Sequence, residues 1–383
     1  MTEIKDLEKF FEDHPENLLI VNNLMVWFPI KRGIGEIFKR KPQRYVKAVD
    51  NVSFNIKKEE TFCLVGESGC GKTTTGKSLL RLVPITSGVG LFRPSDITIE
   101  RLKKEGIKVN NGYVNIYGLP PKKVKPIRKD IQMIYQDPFG SLNPRYKIMD
   151  ILTEPLKIHN IGLSEEEERE LVYKTLEKVK LKPPEDFADR HPHQLSGGQR
   201  QRIAIAKAMI MSPRLIVADE PVSMLDVSIR AEVLELLINF KNEHKLSYLF
   251  ITHDLAVARY ICDRIAVMYL GKIVEMGKAR NIIEQPMHPY TRALVAAIPE
   301  PDPSNRLKVR KLFIKGEVES AANIPSGCRF HPRCMAYDEN KPILGDICEK
   351  EDPGYYITED GRLVSCWLYK NLKKAEKFED FYM

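Results

Sequence analysis

One short segment, GESGCGKT at residues 66–73, constrains the fold of this chain more than any other. It follows an apolar run, Thr61 to Val65, that predicts a β-strand, and it precedes leucines at helical spacing. A glycine-rich loop between a strand and a helix points its backbone N–H groups at phosphate oxygens, and the helix N-terminus adds a favourable dipole. The pattern predicts an α/β protein that binds a nucleotide through Gly66, Glu67, Ser68, Gly69, Cys70, Gly71, Lys72, Thr73 and Thr74.

Side chains in this loop and after two later strands predict phosphoryl transfer. Lys72 can reach the β- and γ-phosphates, and the Thr73 hydroxyl can ligate Mg²⁺. The segment RLIVADEP predicts a buried parallel strand ending at Asp219, where a carboxylate could hold Mg²⁺ directly or through water. Glu220 could then polarise the attacking water. The strand in YLFITHDL would place His253 on the same rim, within reach of the γ-phosphate.

A second anion-binding element precedes another predicted helix. In HQLSGGQRQRIAIAKAMI, a Ser-Gly-Gly turn lies just before a helical pattern of apolar residues. Because the chain already has a phosphate loop, two such elements are best explained if two domains face each other and each closes the nucleotide of the other. The residues of this element are Ser196, Gly197, Gly198 and Gln199.

Taken together, these motifs resemble the ATP-binding cassette (ABC) transporter ATPases. The resemblance covers roughly residues 18–285 and is carried, in order, by GESGCGKT, YQDP, LSGGQ, LIVADE, SMLD and ITHD. It implies a P-loop NTPase nucleotide-binding domain of the ABC type, with a helical subdomain at about 137–212. ATP and Mg²⁺ would be its ligands, with Thr73, Gln136 and Asp219 around the metal.

The resemblance also implies roles for individual positions. Gln136 would contact Mg²⁺ or water and sense the membrane subunit, and Asp226 would lie at the dimer seam. The turn at 196–199 would reach the γ-phosphate bound to the opposite subunit, and His253 would hold the γ-phosphate against Glu220. An aromatic ring upstream of the phosphate loop would stack on adenine. The alternatives are Phe28, which fits best by position, Trp27 and Tyr45.

Three segments, MYLGKIVEMG, HPYTRALVAAIPEPDP and YQDPFGSLNPR, are similar to the ATPase subunits of oligopeptide/dipeptide importers. This narrower resemblance implies that ATP-driven dimer closure powers peptide import at the cytoplasmic face of the cell membrane. It implies a second homologous ATPase subunit in a heterodimer, two transmembrane permease subunits and, indirectly, an extracytoplasmic peptide-binding protein. An importer of nickel or sugar, a soluble ABC ATPase of DNA repair or translation, and a redox-regulated module remain as alternatives.

Composition and charge add further limits. No run of about 20 apolar residues occurs, and the acidic N-terminus does not match a signal peptide, so we expect a peripheral protein of the cytoplasm. The net charge is +8, with basic clusters in KRGIGEIFKRKPQRYVK and PPKKVKPIRKD. No nucleic-acid recognition motif accompanies this charge, so we interpret it as solvated surface and expect no nucleic-acid partner.

After Pro303 the chain becomes loop-rich and contains four of its seven cysteines. They are spaced C-x5-C-x13-C-x17-C, and on spacing alone an iron–sulfur cluster, zinc with His331 as a competing ligand, and no metal all remain open. Disulfides are not expected in a reducing cytoplasm. The importer resemblance, through CRFHPRC and GRLVSCW, implies a [4Fe–4S] cluster with zinc as the alternative. Its ligands would be Cys328, Cys334, Cys348 and Cys366.

The predicted organisation has three parts. Residues 1–17 form an N-terminal extension, 18–285 the nucleotide-binding domain, and 286–383 a small, loop-rich C-terminal domain with the four-cysteine site. Within the second part, 89–111 is an insertion where the family crosses in a short turn. Its segment SDITIERLKKEG has a capping residue at its start and a glycine at its end, which predicts a short helix.

Overall fold

The structure is a computed structural model, and it describes residues 2–32, 42–298, 314–317 and 319–382. Two sequence features fall largely outside these ranges: the centre of the basic cluster at 31–47, and the start of the tail around Pro303. The helices, numbered in chain order, are α1 (Thr2–Asp13), α2 (Lys72–Leu79), α3 (Asp96–Lys104), α4 (Ile127–Asp130), α5 (Pro138–Ser141), α6 (Ile148–Ile158), α7 (Glu165–Lys178), α8 (Pro184–Ala188), α9 (Gly197–Met209), α10 (Val227–His244), α11 (Leu255–Ile261), α12 (Ala279–Glu284), α13 (Pro289–Ala296), α14 (Met335–Leu344) and α15 (Ile347–Lys350).

The strands include the three that the sequence predicts before its functional motifs. They are β1 (Asn17–Pro29), β2 (Tyr45–Lys57), β3 (Thr61–Val65), β4 (Ser87–Phe92), β5 (Val114–Asn115), β6 (Ile131–Ile134), β7 (Leu215–Asp219), β8 (Ser247–Thr252), β9 (Arg264–Tyr269), β10 (Lys272–Lys278), β11 (Tyr356–Ile357), β12 (Leu363–Val364) and β13 (Lys373–Lys374).

The chain divides into two compact units. The first contains Met1–Asn55, Phe62–Gly90 and Thr252–Met383, and the second contains Ile56–Thr61 and Leu91–Ile251. The phosphate loop and the four tail cysteines therefore belong to the first unit. The motifs around Gln136, Ser196 and Glu220 belong to the second.

In the first unit, the strand that leads into the phosphate loop is fixed by its neighbour. β3 pairs in parallel with β9, with Cys63 opposite Ile265, and the sheet continues through β10 and β12 to β11 and β13. A second sheet has the order β2-β1-β4. Every residue of β3 and β9 is buried, as expected for an apolar strand covered on both faces. The phosphate loop therefore starts from a rigid strand end.

The second unit contains three parallel strands in the order β8-β7-β6. Val217 of β7 lies opposite Met133 of β6 and Leu249 of β8. β7 and β8 are buried along their whole length, which explains why both read as continuous apolar runs. The range 137–212, predicted to be a helical subdomain, contains α5 to α9, and α6, α7 and α9 pack on one another.

The predicted insertion contains the expected helix, α3. Its N-terminus is capped by Ser95, whose hydroxyl accepts a hydrogen bond from the Thr98 N–H group, and Gly106 follows its C-terminus with a φ of +70°. The hydroxyl of Ser95 also donates to the Asp130 carboxylate at 2.9 Å. Thr98 and Leu102 form its buried face. Short-range capping signals were sufficient to predict this helix.

The expectation of free cysteines does not hold throughout the chain. Cys63 and Cys262 form a disulfide with a Cα–Cα distance of 5.9 Å, across 199 residues of sequence. The pairing of β3 with β9 brings Cys63 close to the segment just before β9, which contains Cys262, and cysteine spacing alone cannot show this. The four tail cysteines and Cys70 are free. None of the described helices is long and apolar enough to cross a membrane.

Candidate functional site

The phosphate loop has a conformation that only glycine permits at two positions. Gly71, which precedes α2, has a φ of +108°, and a Cβ atom there would lie 2.2 Å from the carbonyl oxygen of Ala48. A Cβ atom at Gly66 would lie 2.3 Å from the carbonyl oxygen of Met268. Both distances are far below van der Waals contact, so the loop backbone is packed directly on neighbouring backbone. The glycines of the sequence pattern are therefore required by the close packing of this loop.

Lys72 is held inside this loop. Its ammonium group donates hydrogen bonds to the carbonyl oxygens of Gly66 at 2.7 Å and Glu67 at 2.9 Å, and the residue is 5% exposed. Cys70 lies beside it, and burial raises the pKa of the Cys70 thiol although the Lys72 charge opposes the shift. The thiol is therefore protonated at neutral pH and acts as a small packing group. Of the remaining loop residues, Ser68 and Gly69 are exposed and Thr73 and Thr74 are half-buried.

In the second unit, the structure brings together two residues that the sequence placed in catalysis. Asp219 ends β7 and is 3% exposed. Glu220 follows, and its carboxylate accepts a hydrogen bond from the Gln136 side-chain amide at 3.0 Å. The Glu220 N–H group donates to the carbonyl oxygen of Ile251 at 2.9 Å, which ties the residue to the neighbouring strand β8. Gln136 and Glu220, which were predicted separately, are thus within hydrogen-bonding distance of each other.

Ser196 forms the N-cap of α9. Its hydroxyl accepts a hydrogen bond from the Gln199 N–H group at 3.3 Å, and the Gln199 side chain accepts one from the Ser196 N–H group at 3.0 Å. This reciprocal capping box fixes the start of a helix of 13 residues. A Cβ atom at Gly198 would lie 2.6 Å from the Ile229 side chain. A Cβ atom at Gly197 would have no other atom within 4 Å.

The three aromatic rings proposed for adenine have different surroundings. Trp27 donates from its indole to the Asp50 carboxylate at 3.1 Å, and the Lys47 ammonium lies 4.5 Å from its ring centroid. Tyr45 packs at 6.1 Å from Trp27 and is 40% exposed. Phe28, next to Trp27 in β1, lies on the opposite face of that strand because side chains alternate. Tyr45 therefore has the most accessible ring of the three.

Two further predicted residues are exposed in different units. His253 follows the end of β8 and belongs to the first unit, whereas Asp226 precedes α10 and belongs to the second. The first unit thus contains the phosphate loop, His253 and the three aromatic residues. The second contains Gln136, Glu220, Asp219, Asp226 and the start of α9.

The four tail cysteines line one cavity. They come from the loop before α14, from α15 and from the segment after β12. The apolar side chains of Phe330, Leu344 and Trp367 line the same cavity. The Cys334 sulfur accepts a hydrogen bond from the Tyr337 N–H group at 3.3 Å. The thiols that line the cavity are those of Cys328, Cys334, Cys348 and Cys366.

Burial raises the pKa of all four thiols. The pKa is about 12 for Cys328 and about 11 for Cys348, with the charges of neighbouring cysteines adding to the effect of burial. Cys334 and Cys366 shift in the same direction for the same main reason. In the described part of the chain, no three His, Cys, Asp or Glu side chains are arranged so that they could hold a metal ion. The thiols are gathered around a common space without forming a mononuclear coordination set.

Sequence reasoning missed two residues that contact the phosphate loop, Tyr290 and Arg333. Tyr290 accepts a hydrogen bond from the Glu67 N–H group, and Arg333 pairs with the Glu67 carboxylate. Each lies more than 200 residues from Glu67. The only available signal was that both belong to short segments, HPY and HPR, singled out for other reasons.

Comparison with protein families gives two matches. The model described as ABC transporter matches residues 49–223, and the model described as oligopeptide/dipeptide transporter, C-terminal region, matches residues 274–340. The first match contains the phosphate loop and the start of α9. The second contains Tyr290, Arg333 and the first two tail cysteines.

Relatives match over most of the chain. It is similar to the oligopeptide transport ATP-binding protein AppF of Bacillus subtilis, with 43% identity over 354 residues, 92% of this chain and 98% of that protein. It is 43% identical over 336 residues to the oligopeptide transport ATP-binding protein OppF of Escherichia coli, which is 88% of this chain and 92% of that protein. Among solved structures, it resembles the dimeric ATP-binding cassette MJ0796 in a post-hydrolysis state bound to ADP and Pi. That match has a TM-score of 0.54 and 27% identity, and it covers 68% of this chain and 99% of the other.

Proposed function

This chain belongs to the oligopeptide/dipeptide transport ATP-binding proteins of the ABC transporter family, and on that premise we propose that it hydrolyses ATP to power peptide import. The observation that carries the proposal is the phosphate loop, whose backbone at Gly66 and Gly71 leaves no room for a side chain. The hydrogen-bonded pair of Gln136 and Glu220 supplies a carboxylate for the attacking water. The resemblance predicted from the motifs is therefore confirmed at the level of the family.

In the proposed reaction, water attacks the γ-phosphorus of ATP and the bond to the bridging β–γ oxygen breaks. Glu220 orients the water and accepts its proton, while the amide of Gln136 holds the Glu220 carboxylate in place. Lys72 can exchange its two carbonyl partners in the loop for phosphate oxygens. The products are ADP and inorganic phosphate. Positioning and charge stabilisation supply most of the rate enhancement in such a reaction.

The Thr73 hydroxyl and the Asp219 carboxylate suit Mg²⁺ because this ion prefers oxygen ligands. Asp219 ends the apolar strand β7, and the carboxyl ends of parallel strands are where α/β sheets place their ligand-binding groups. Mg²⁺ would neutralise charge on the β- and γ-phosphates. Gln136 would contact the ion or its water, and the exposed ring of Tyr45, or alternatively Phe28, would stack on adenine.

The start of α9 is proposed to act on a second nucleotide. Ser196 is exposed at the start of this helix, and the dipole of the helix N-terminus suits an anion. By the family resemblance, this turn would reach the γ-phosphate bound to a partner ATPase. His253 would contact the γ-phosphate in its own subunit, and Asp226 would lie at the dimer seam. We propose a heterodimer of two ATPases that works with two permease subunits at the cytoplasmic face of the membrane, supplied by an extracytoplasmic binding protein.

For the four-cysteine region we propose a [4Fe–4S] cluster. The four thiols line one apolar cavity, and a backbone N–H group already donates to the Cys334 sulfur. Four sulfurs around one zinc ion must each lie about 2.3 Å from a single centre, whereas a cluster binds each sulfur to a different iron atom. The lining of four thiols suits either group, and it is the resemblance through CRFHPRC and GRLVSCW that favours the cluster over zinc. The cluster would cross-link a segment that is built of short elements.

The organisation proposed for the chain keeps the three predicted parts: the extension at 1–17, the nucleotide-binding domain at 18–285 and the C-terminal part at 286–383. The match at 274–340 supports a distinct C-terminal sequence module near that last boundary.

Reconstitution of transport tests the proposed function. The chain would be combined with its permease and partner ATPase subunits in vesicles, and uptake of a labelled oligopeptide would be measured with and without ATP. ATP-dependent uptake that is lost when Lys72 is replaced by Ala is the expected result. Uptake of nickel or a sugar in place of peptide would support the alternative importers, and hydrolysis stimulated only by DNA or ribosomes would contradict both.

A further inference from the structure

Glu67, the second residue of the phosphate loop, is held by residues from the far end of the chain. Its carboxylate receives two hydrogen bonds from the Arg333 guanidinium, at 2.7 Å and 3.1 Å to its two oxygens. This two-point geometry is the strongest and most directional form of a carboxylate–arginine contact. Its backbone N–H group donates to the Tyr290 hydroxyl at 2.8 Å. Both side-chain and main-chain positions of Glu67 are thus fixed from outside the loop.

The Arg333 side chain has little freedom to move away. The residue is 6% exposed, its guanidinium lies 5.8 Å from the Tyr269 ring centroid, and it donates weakly to the Tyr269 hydroxyl at 3.5 Å. Tyr269 itself packs against Phe330 edge-to-face at 5.3 Å. Because one guanidinium is buried among these rings, its charge depends on the Glu67 carboxylate for compensation.

Tyr290 is equally constrained. It is fully buried, and its ring packs against Tyr269 at 4.8 Å and Phe330 at 5.4 Å. Three rings and one guanidinium therefore form a single packed group around Glu67, which we name the loop clamp: Tyr269, Tyr290, Phe330 and Arg333.

The clamp is connected to Lys72 through one residue. The carbonyl oxygen of Glu67 accepts a hydrogen bond from the Lys72 ammonium at 2.9 Å. A shift of the Glu67 backbone would therefore move a partner of the lysine that binds the phosphates. At the other end of the clamp, Arg333 precedes Cys334 and follows Cys328 by five residues, so the four-cysteine region and the phosphate loop share one short segment.

We propose that Arg333 is a positioning residue for ATP binding, which holds the phosphate loop in its nucleotide-competent conformation through Glu67 and so makes ATP affinity dependent on the four-cysteine region. The proposal rests on the proposed ATPase function. It assigns to the C-terminal region a task inside its own subunit that is separate from contact with permeases or with another ATPase. Arg333 itself touches neither nucleotide nor water in this role.

Replacement of Arg333 tests the proposal through ATP affinity. In the full chain, R333A should raise the dissociation constant for a fluorescent ATP analogue and the KM for ATP about tenfold, since one buried charged hydrogen-bonded pair is lost. The kcat at saturating ATP should change little, because the catalytic pair of Gln136 and Glu220 is not altered. R333K, which keeps the charge but loses the two-point contact, should have an intermediate effect. Y290F should shift affinity in the same direction.

The matched control is K341A. Lys341 also forms an ion pair in the tail, with Glu349 at 3.1 Å, but that pair is exposed and does not involve the loop. The K341A substitution should leave the nucleotide affinity and the KM for ATP at wild-type values. Thermal unfolding of each variant measures how much of the protein is folded at the assay temperature. This distinguishes a smaller folded fraction from a lower ATP affinity of the folded protein.

A double-mutant cycle with E67A provides the decisive comparison. If Arg333 acts through Glu67, the double variant should bind ATP about as weakly as the weaker single variant. Additive losses, or wild-type affinity in R333A and R333K, would overturn the role of Arg333 while the wild type still hydrolyses ATP. A wild-type protein that neither binds nor hydrolyses ATP would overturn the proposed function, and this role with it. If R333A does not fold, R333K and Y290F decide the question.

Discussion

Glu220 combines an unusual backbone conformation with the position expected of a catalytic base. Its φ is +47°, in the left-handed region that residues other than glycine rarely adopt. Its N–H group donates to Ile251, and its carbonyl oxygen accepts from the Ser223 hydroxyl at 3.0 Å. These two bonds hold a conformation that costs free energy, as is common where a side chain must be aimed at a reaction. The conformation follows directly after the buried strand β7.

Substitution E220Q is expected to separate ATP binding from hydrolysis. Glutamine keeps the size of the side chain but cannot accept the proton of the attacking water, so phosphate release should fall by about 10²–10⁴-fold. Affinity for an ATP analogue should stay close to that of the wild type, because the loop of the first unit is unchanged. Phosphate release and nucleotide binding would be measured side by side.

The control for that experiment is E170Q, which alters an exposed glutamate paired with Lys174 on α7. It should hydrolyse ATP at the wild-type rate. Normal turnover in E220Q would contradict the assignment of Glu220 as the base.

His159, at the end of α6, should make stability depend on pH. Burial together with the charges of Lys125, Arg101, Lys129 and Arg128 lowers its pKa from 6.5 to about 4. The folded protein therefore keeps this histidine neutral where the unfolded chain would bind a proton. Stability from this group is present above about pH 6.5 and decreases as the pH falls towards 4.

The measurement is the urea midpoint of unfolding between pH 7 and pH 4.5. The wild type should lose stability over this interval more steeply than H159Q, which has no proton to bind. H193Q, at an exposed histidine, should keep the wild-type slope. Equal slopes in wild type and H159Q would show that the burial of His159 does not affect folding in this way.

At the scale of elements, the start of α9 shows how neighbouring glycines can have different roles. Gly197 faces open space, whereas Gly198 approaches Ile229, two residues into α10. Both lie in the first turn of a capped helix, and sequence alone treats them as one Ser-Gly-Gly turn. Close packing of α9 on α10 requires glycine only at the second position.

Alanine substitutions should separate the two positions. G198A should lower the melting temperature, because its methyl group would lie 2.6 Å from the Ile229 side chain. G197A should keep or slightly raise it, because alanine favours the helix by up to about 1 kcal/mol over glycine. Differential scanning fluorimetry measures both.

A second substitution identifies the cause. In an I229A background the clash is removed, so G198A should cost much less than in the wild type. An undiminished loss in that background would mean that Ile229 does not limit the space at Gly198.

At the scale of the whole molecule, the first unit is assembled from three separate stretches of chain. β3 and the phosphate loop come from the middle stretch, whereas β9, α13 and the tail cysteines come from the last. The tail is rich in short elements and bound to the sheet by β11 to β13. Its own apolar cluster is small, centred on Tyr356, Val364 and Cys366.

Anaerobic purification should yield a brown protein with about four iron and four sulfide per chain. C348S should lose most of both and lower the thermal stability of the tail, because the cluster would cross-link elements that share few apolar contacts. Metal analysis and acid-labile sulfide determination provide the measurement. C70S, at the free cysteine of the phosphate loop, should keep the full iron content. A colourless wild type with one zinc per chain would contradict the cluster.

Local motifs were sufficient to predict the strands β3, β7 and β8, the helices α2 and α9, and the helix of the insertion. Each depends on signals within about ten residues: an apolar run, a glycine loop, a capping residue. The same signals predicted roles for Lys72 and Glu220, whereas the role of Gln136 was implied by the family resemblance. The family matches agree with the class of protein that was predicted.

Contacts between distant stretches could not be predicted in this way. The Cys63–Cys262 disulfide and the loop clamp depend on how β3 lies beside β9 and on where the tail returns to the sheet. A single sequence does not show which of several buried arginines pairs with Glu67. The pairing is decided by the packing of segments that lie hundreds of residues apart in the sequence. The sequence by itself therefore determined the phosphate loop and its chemistry. Only the tertiary structure decided that Arg333, between two cysteines of the tail, holds that loop from outside, since this contact exists only once the two stretches pack together.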